Sequence, residues 1–238
     1  MQLSLRLSAI ADMVTEGNRL VDVGCDHGYL PVYLVQNGKI PAAIAMDVRK
    51  GPLSRAQEHI RQYGLEEYIK TRLSDGLGAL EAGEGDTLVI AGMGGPLMER
   101  ILTDGASVRD SFSELILQPQ SDIPHFRRFI QNEGWEIVEE NMIEEEGKFY
   151  PMMRVQKAQM PLIEKRRSDL PYSLEEAFGK FLLDSGNLVL LQYLKRELRI
   201  REEILEKLEK AATAAERMAQ VKEEKQLILA AMAKYESK

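Results

Sequence analysis

Between residues 18 and 156, short apolar, β-rich runs alternate with stretches whose apolar residues recur at helical spacing. The runs predict strands over Arg19–Val23, Ala42–Asp47, Ile69–Ser74, Thr87–Ala91, Glu114–Gln118, Trp135–Ile143 and Phe149–Gln156. Helices are predicted between most of them, over Tyr29–Asn37, Pro52–Tyr63, Pro96–Thr103 and Pro124–Asn132. Such alternation implies a parallel sheet with helices on both faces. Only the acidic turn Glu144-Glu145-Glu146-Gly147 separates the last two strands, so they form an antiparallel hairpin at the end of the sheet. Ahead of the first strand, Leu3, Leu7, Ile10, Ala11 and Val14 predict an amphipathic helix packed near the open edge of the sheet.

The pattern changes after Pro161, which divides the chain into a domain over 1–160 and a helical domain over 161–238. Apart from a turn at Asp184-Ser185-Gly186, residues 172–238 read as helix. Apolar residues at 191, 194, 198, 205, 208, 212, 215 and 219 follow alternating steps of three and four, broken only by Arg201. That is a coiled-coil seam. One continuous helix of about 50 residues would be about 75 Å long, so a fold-back near Ala211–Ala215 is expected. The tail is either a dimerisation element or an arm that grips a substrate.

Composition narrows the class. The 238 residues are 44 % hydrophobic and 29 % charged, which fits a globular protein without a transmembrane run. The first residues lack a secretory signal, and the single cysteine, Cys25, excludes a disulfide framework. A cytoplasmic location is the expectation. Net charge is −7, unevenly spread: residues 1–157 carry −8 and residues 158–238 carry +1. Any surface for a polyanion must therefore be a local patch.

The main chemical signal is Val21-Asp22-Val23-Gly24-Cys25-Asp26-His27-Gly28-Tyr29-Leu30-Pro31, a strand, a glycine turn and a helix start. In a doubly wound sheet, ligands bind beside this first turn. Asp47, ending the second strand beside Val48, stands where an acid would hold a ribose diol. Ser74-Asp75-Gly76 ends strand three, where an acid and free backbone groups would read an adenine edge. The turn is G-x-x-x-G, which lacks the full dinucleotide cradle. With the terminal hairpin, this favours a class I methyltransferase: a Rossmann-like seven-stranded α/β sheet that binds S-adenosylmethionine, followed by an α-helical coiled-coil domain. Asp22, Gly24, Cys25, Gly28, Asp47, Val48, Asp75, Gly76 and Ala91 are the expected cofactor residues. His27, His59, His125 and Cys25 have no metal-ligand spacing, so no metal is expected.

Leu7…Ile10-Ala11, the Val21–Pro31 string, Ala91-Gly92-Met93-Gly94-Gly95 and Gly147-Lys148-Phe149-Tyr150 together resemble the TrmK family, bacterial tRNA adenine-N1 methyltransferases acting on position 22. The resemblance spans nearly the whole chain. It implies S-adenosylmethionine as donor, tRNA as substrate and 1-methyladenosine as product.

On that basis the catalytic candidates are Asp26, His27, Gly92 and Met93. Adenine N1 is a neutral nucleophile, so alignment is the main requirement. The product base is cationic, and Asp26 is placed to stabilise that charge or take its proton; the alternative for Asp26 is a cap on the following helix. The backbone at Gly92 could accept adenine amino hydrogens, Met93 could pack on the base, and Gly94 and Gly95 would let it lie close. Tyr29 and Tyr150 are candidate stacking partners for a splayed base, with core packing the alternative. Arg6 is expected to reach over the cofactor site, and Gln118 and Lys148 to face the substrate. Arg127-Arg128 and the tail cluster Lys195, Arg196 and Arg199 are candidate phosphate contacts, against a solvated helix face for each. The expected state is a monomer or weak dimer. Competing readings are a methyltransferase of a small molecule or protein, and a non-catalytic RNA-binding adaptor.

Overall fold

The computed structural model describes residues 1–159, 172–209 and 215–236. Its contacts divide the chain into two units, Met1–Ser168 and Asp169–Lys238.

The first unit is built on strands β1 (Leu20–Val23), β2 (Ala43–Asp47), β3 (Ile69–Leu73), β4 (Thr87–Met93), β5 (Glu114–Pro119), β6 (Trp135–Glu145) and β7 (Lys148–Lys157). Their order across the sheet is β3-β2-β1-β4-β5-β7-β6. Pairing is parallel from β3 to β5, and β7 inserts antiparallel between β5 and β6. Strands β1 and β5 are buried along their whole length, because helices cover both faces. On one face α1 (Leu5–Met13), α2 (Tyr29–Gln36) and α3 (Lys50–Gln62) pack Ile10, Leu34 and Ile60 around Val89 and Ile116. On the other, α4 (Gly95–Asp104) and α6 (Ile123–Asn132) pack Met98, Leu102 and Phe126 around Leu88, Ile90 and Leu115. Successive residues of β4 and β5 thus serve opposite cores, as period-two side-chain alternation requires. The strand order reverses between β1 and β4, which opens a crevice beyond their carboxyl ends.

The expected strands all form, with ends moved by one or two residues. Strand β4 runs past Ala91 to Met93, and its register against β5 shifts between these two residues. Gly92, in the left-handed region at φ 79°, lies at that irregularity. Helix α1 starts at Leu5 because Ser4 ends the extended chain: its Oγ accepts the Leu7 N–H at 3.2 Å. A single turn, α5 (Ala106–Arg109), was not expected; four residues give no readable period.

In the second unit, Ser173 and Glu176 form a capping box for α7 (Leu174–Phe178). Helix α8 (Lys180–Ser185) follows after a break at Gly179 (φ 89°), where continuous helix was expected. The predicted turn at Asp184-Ser185-Gly186 is present, with Gly186 left-handed as the C-cap. Helices α9 (Leu188–Glu209) and α10 (Ala215–Glu236) then pair antiparallel. Arg201 Nε meets Glu224 at 2.9 Å, Lys225 meets Glu202 at 2.9 Å, and the Tyr235 hydroxyl donates to the Asn187 carbonyl at 3.0 Å. The expected fold-back falls mainly on residues 210–214, outside the described residues. The seam differs from the expected one. The buried residues are Leu190 and Leu194 on α9 and Val221, Ile228 and Ala231 on α10, whereas Ala215 and Ala219 are exposed. Because α9 and α10 run antiparallel, one repeat counted straight through both fails on the second helix. Arg201, the expected break, occupies the hairpin between Glu197 and Glu224.

Candidate active site

The β1–α2 turn is fixed from beneath: the N–H groups of Gly24 and Cys25 both donate to the Met46 carbonyl, at 2.8 and 2.9 Å. This ties the turn to the end of β2, where Asp47 stands. Gly24 has φ 80°, and a Cβ there would lie 2.3 Å from Met93 Cε. The glycine therefore lets the turn and the end of β4 close on each other. Gly28, at φ 68°, is the N-cap of α2. No side chain caps this helix, so Asp26 is not the cap considered above.

Two acids are buried in the crevice. Asp47, 6 % exposed, accepts the Arg49 N–H on Oδ1 at 2.8 Å, and its other oxygen has no partner among the described residues. Asp22, also 6 % exposed, has its carboxyl pushed up to about 7, first by burial and then by the Asp47 charge, against the opposing pull of Arg6. A carboxylate kept near half-ionised in a cleft is suited to receive a cation. Cys25 is buried and its thiol pushed upward, chiefly by burial, so it is not a nucleophile. Val48 is exposed beside Asp47. Asp75 stands at the mouth, 67 % exposed and 3.2 Å from Arg100, followed by Gly76 at φ 55°.

The far wall is the end of β4. Buried Gln118 accepts the Gly92 N–H at 3.1 Å and the Arg6 guanidinium at 3.3 Å on one oxygen. Its amide nitrogen donates to the Pro119 carbonyl at 3.2 Å. The Arg6 guanidinium also lies 5.8 Å from the centre of the Tyr150 ring. The N-terminal helix and the last strand thus meet beside the end of β4. Asp26 is exposed at the rim in the left-handed region (φ 49°), 3.7 Å from His27 and 3.5 Å from Arg55. Tyr29 is 40 % exposed, so it is not a core residue. Among the described residues, no group of three His, Cys, Asp or Glu side chains is arranged to hold a metal ion.

Several expected residues lie elsewhere. Arg127 and Arg128 are 3 % and 4 % exposed, and Arg127 Nε donates to Glu140 at 2.8 Å. Both are buried on α6 and are not phosphate contacts. A Cβ at Gly95 would lie 2.6 Å from the Ser121 carbonyl, and one at Gly94 would lie 3.0 Å from Ser121 Oγ. Loop packing, not an approaching base, explains these glycines. Lys148 is exposed at the hairpin tip opposite Glu145. Lys195, Arg196 and Arg199 lie on solvent-facing positions of α9 in the second unit. Sequence reasoning missed Arg55 and His59. They are four apart on α3 and so share a face, but only the fold shows that this face meets the Asp26 turn.

A family described as "Methyltransferase domain" matches residues 3–153. The Bacillus subtilis tRNA (adenine(22)-N(1))-methyltransferase is 32 % identical over 223 residues, 94 % of this chain and 92 % of that protein. A Streptococcus pneumoniae structure in complex with S-adenosyl-L-methionine is 34 % identical with a TM-score of 0.84, covering 97 % of this chain and 99 % of the other. The structure of M. capricolum TrmK in complex with the natural cofactor product S-adenosyl-homocysteine is 26 % identical with a TM-score of 0.82, covering 99 % and 100 %. Matches of this extent run through both the cleft and the helical tail. The chain belongs to the TrmK family of class I methyltransferases.

Proposed function

We propose that this chain transfers a methyl group from S-adenosylmethionine to N1 of adenine 22 in tRNA. The observation that carries the reading is the convergence of two buried acids, Asp22 and Asp47, with the glycine-lined end of β4 in one crevice of a TrmK-family chain. The donor set fits the cofactor. Asp47 has an oxygen to offer a ribose hydroxyl, Asp22 is poised for an ammonium group, and Val48 presents an apolar surface to a purine. Asp75, Gly76 and Ala91 complete the adenine side, with Gly24, Cys25 and Gly28 shaping the backbone turn. S-adenosylmethionine, when bound, supplies an electrophilic methyl group on a sulfonium.

The chain's own part is positioning and charge. Gln118 fixes the Gly92 N–H and the Gln120 N–H occupies the Met93 carbonyl, leaving the Gly92 carbonyl to the adenine amino group, with the Met93 side chain against the base. Asp26 stands at the rim, beside His27, to stabilise the cationic product and accept its proton. Arg6 and Tyr150 line the side where tRNA enters, and Lys148 at the exposed hairpin tip and Lys195, Arg196 and Arg199 on the tail offer phosphate contacts. The α9–α10 seam is closed within the chain, which supports a monomer or weak dimer. A tRNA substrate supports a cytoplasmic location. The test is methyl transfer from labelled S-adenosylmethionine to bulk tRNA of a host lacking this protein, followed by nucleoside analysis. Label in 1-methyladenosine at position 22 is the expected result. Label in protein or small molecules, or none, overturns the reading.

A further inference from the structure

Four aromatic rings run from the Asp26 turn across α2 onto α3. His27 and Tyr29 stack with centroids 5.3 Å apart and planes 19° from parallel. Tyr29 meets His59 edge-on at 4.9 Å, and His59 meets Tyr63 edge-on at 4.9 Å. His59 Nδ1 also lies 3.2 Å from the His27 carbonyl oxygen, so α3 holds both the backbone and the rings of the turn. Burial alone does not account for the array, because Tyr29 is 40 % exposed and the His27 side chain 34 %. Arg55, half exposed, stands beside it, held toward Asp26. Partly exposed rings supported from behind, with a guanidinium alongside, are what an unpaired nucleotide requires: a surface for the base and a cation for the phosphate.

We infer that the ladder of His27, Tyr29, His59 and Tyr63, with Arg55, is a second nucleotide subsite. It stacks an unpaired tRNA base flanking the target adenine, outside the slot that holds the target itself. The inference rests on the tRNA reading above. His27 and Tyr29 supply the stacking faces and Arg55 the phosphate contact. His59 is a positioning residue that keeps the two faces in place. A flanking base held here would anchor the strand next to the splayed adenine.

The test uses the full-length protein and tRNA carrying 2-aminopurine next to the target adenine, a probe whose fluorescence is quenched by stacking. Wild type is expected to quench the probe and methylate the tRNA. Tyr29→Leu should raise the KM for tRNA about tenfold and abolish quenching, with S-adenosylmethionine affinity unchanged by calorimetry. Tyr29→Phe, which keeps the ring, should restore both. Arg55→Gln should lower the slope of log affinity against log salt by about one, the loss of one phosphate contact. Unchanged quenching in Tyr29→Leu overturns the subsite, as does a Tyr29→Phe variant as defective as Tyr29→Leu. Failure of wild type to methylate any tRNA would instead overturn the underlying reading, and quenching by wild type would still report on the ladder.

Discussion

Asp22→Asn probes whether the buried acid of the first strand is a cation receptor. Its carboxyl is pushed from an ordinary 3.8 to about 7, with burial the largest cause. At pH 6 the unligated protein therefore holds it mostly protonated. A ligand ammonium needs the ionised form. Ionising the group one unit below its pKa costs about 1.4 kcal/mol, so affinity at pH 6 should be about tenfold below its maximum. Above pH of about 8 the ligand's own α-amino group loses its proton, and affinity should fall again. Wild type should therefore show a bell-shaped profile in calorimetry of S-adenosylmethionine from pH 5.5 to 9. Asp22→Asn should bind more weakly at the maximum and lose the acidic limb. The stability of the unligated protein carries the opposite sign. For a carboxyl raised on folding, the unfolded chain releases its proton first, so this group's contribution declines as pH rises from about 4 to about 7, by on the order of 4 kcal/mol. The asparagine variant should escape that loss and melt higher than wild type at pH 8 without ligand. An acidic limb that survives in Asp22→Asn, or a flat wild-type profile, would refute the reasoning.

Asp47→Ala should weaken S-adenosylmethionine binding by about 1–3 kcal/mol through loss of a charged acceptor; unchanged affinity by calorimetry in a folded variant would remove Asp47 from the site. Asp26→Ala should bind the cofactor within a few-fold of wild type yet transfer methyl much more slowly, and equal single-turnover rates would show that the rim carboxylate takes no part. Gly95→Ala should destabilise the first unit by about 1–3 kcal/mol, since its Cβ meets the backbone carbonyl of Ser121; a urea midpoint equal to wild type would disprove it. Replacing Lys195, Arg196 and Arg199 by glutamine should flatten the salt dependence of tRNA binding by up to about three units of slope without affecting cofactor affinity, and filter binding at two salt concentrations would expose an unchanged slope.

The sheet was legible because strand and helix periods alternate cleanly and the hairpin has no room for a helix. The Asp22–Gly28 turn and Asp47 were legible because close backbone approach and a strand-end acid leave local marks. Arg127-Arg128 misled because adjacent cations usually mean solvent. Yet both are buried on α6, and Glu140, in the following strand β6, answers the Arg127 charge. The Asp26–Arg55 pair and the ring ladder were invisible for the same reason: they join a turn to a helix far along the chain. The tail seam failed on α10, since one unbroken period cannot describe two antiparallel helices.

The meeting of α1 with the last hairpin bears on the order in which the protein comes into being. The Leu5 N–H donates to Glu145 at 2.7 Å across 140 residues, and Arg6 reaches Gln118 across 112. A chain emerging from the ribosome presents its N-terminal helix long before either acceptor exists. Strands β1, β2 and their glycine turn are synthesised early, but the Arg6 side of the cleft waits for the end of β6. Such distant closures are also the slow ones. Nascent chains that stop short of Glu145 therefore hold the acids of the donor pocket without its roof, and the first unit acquires a complete cleft only as its last hairpin docks.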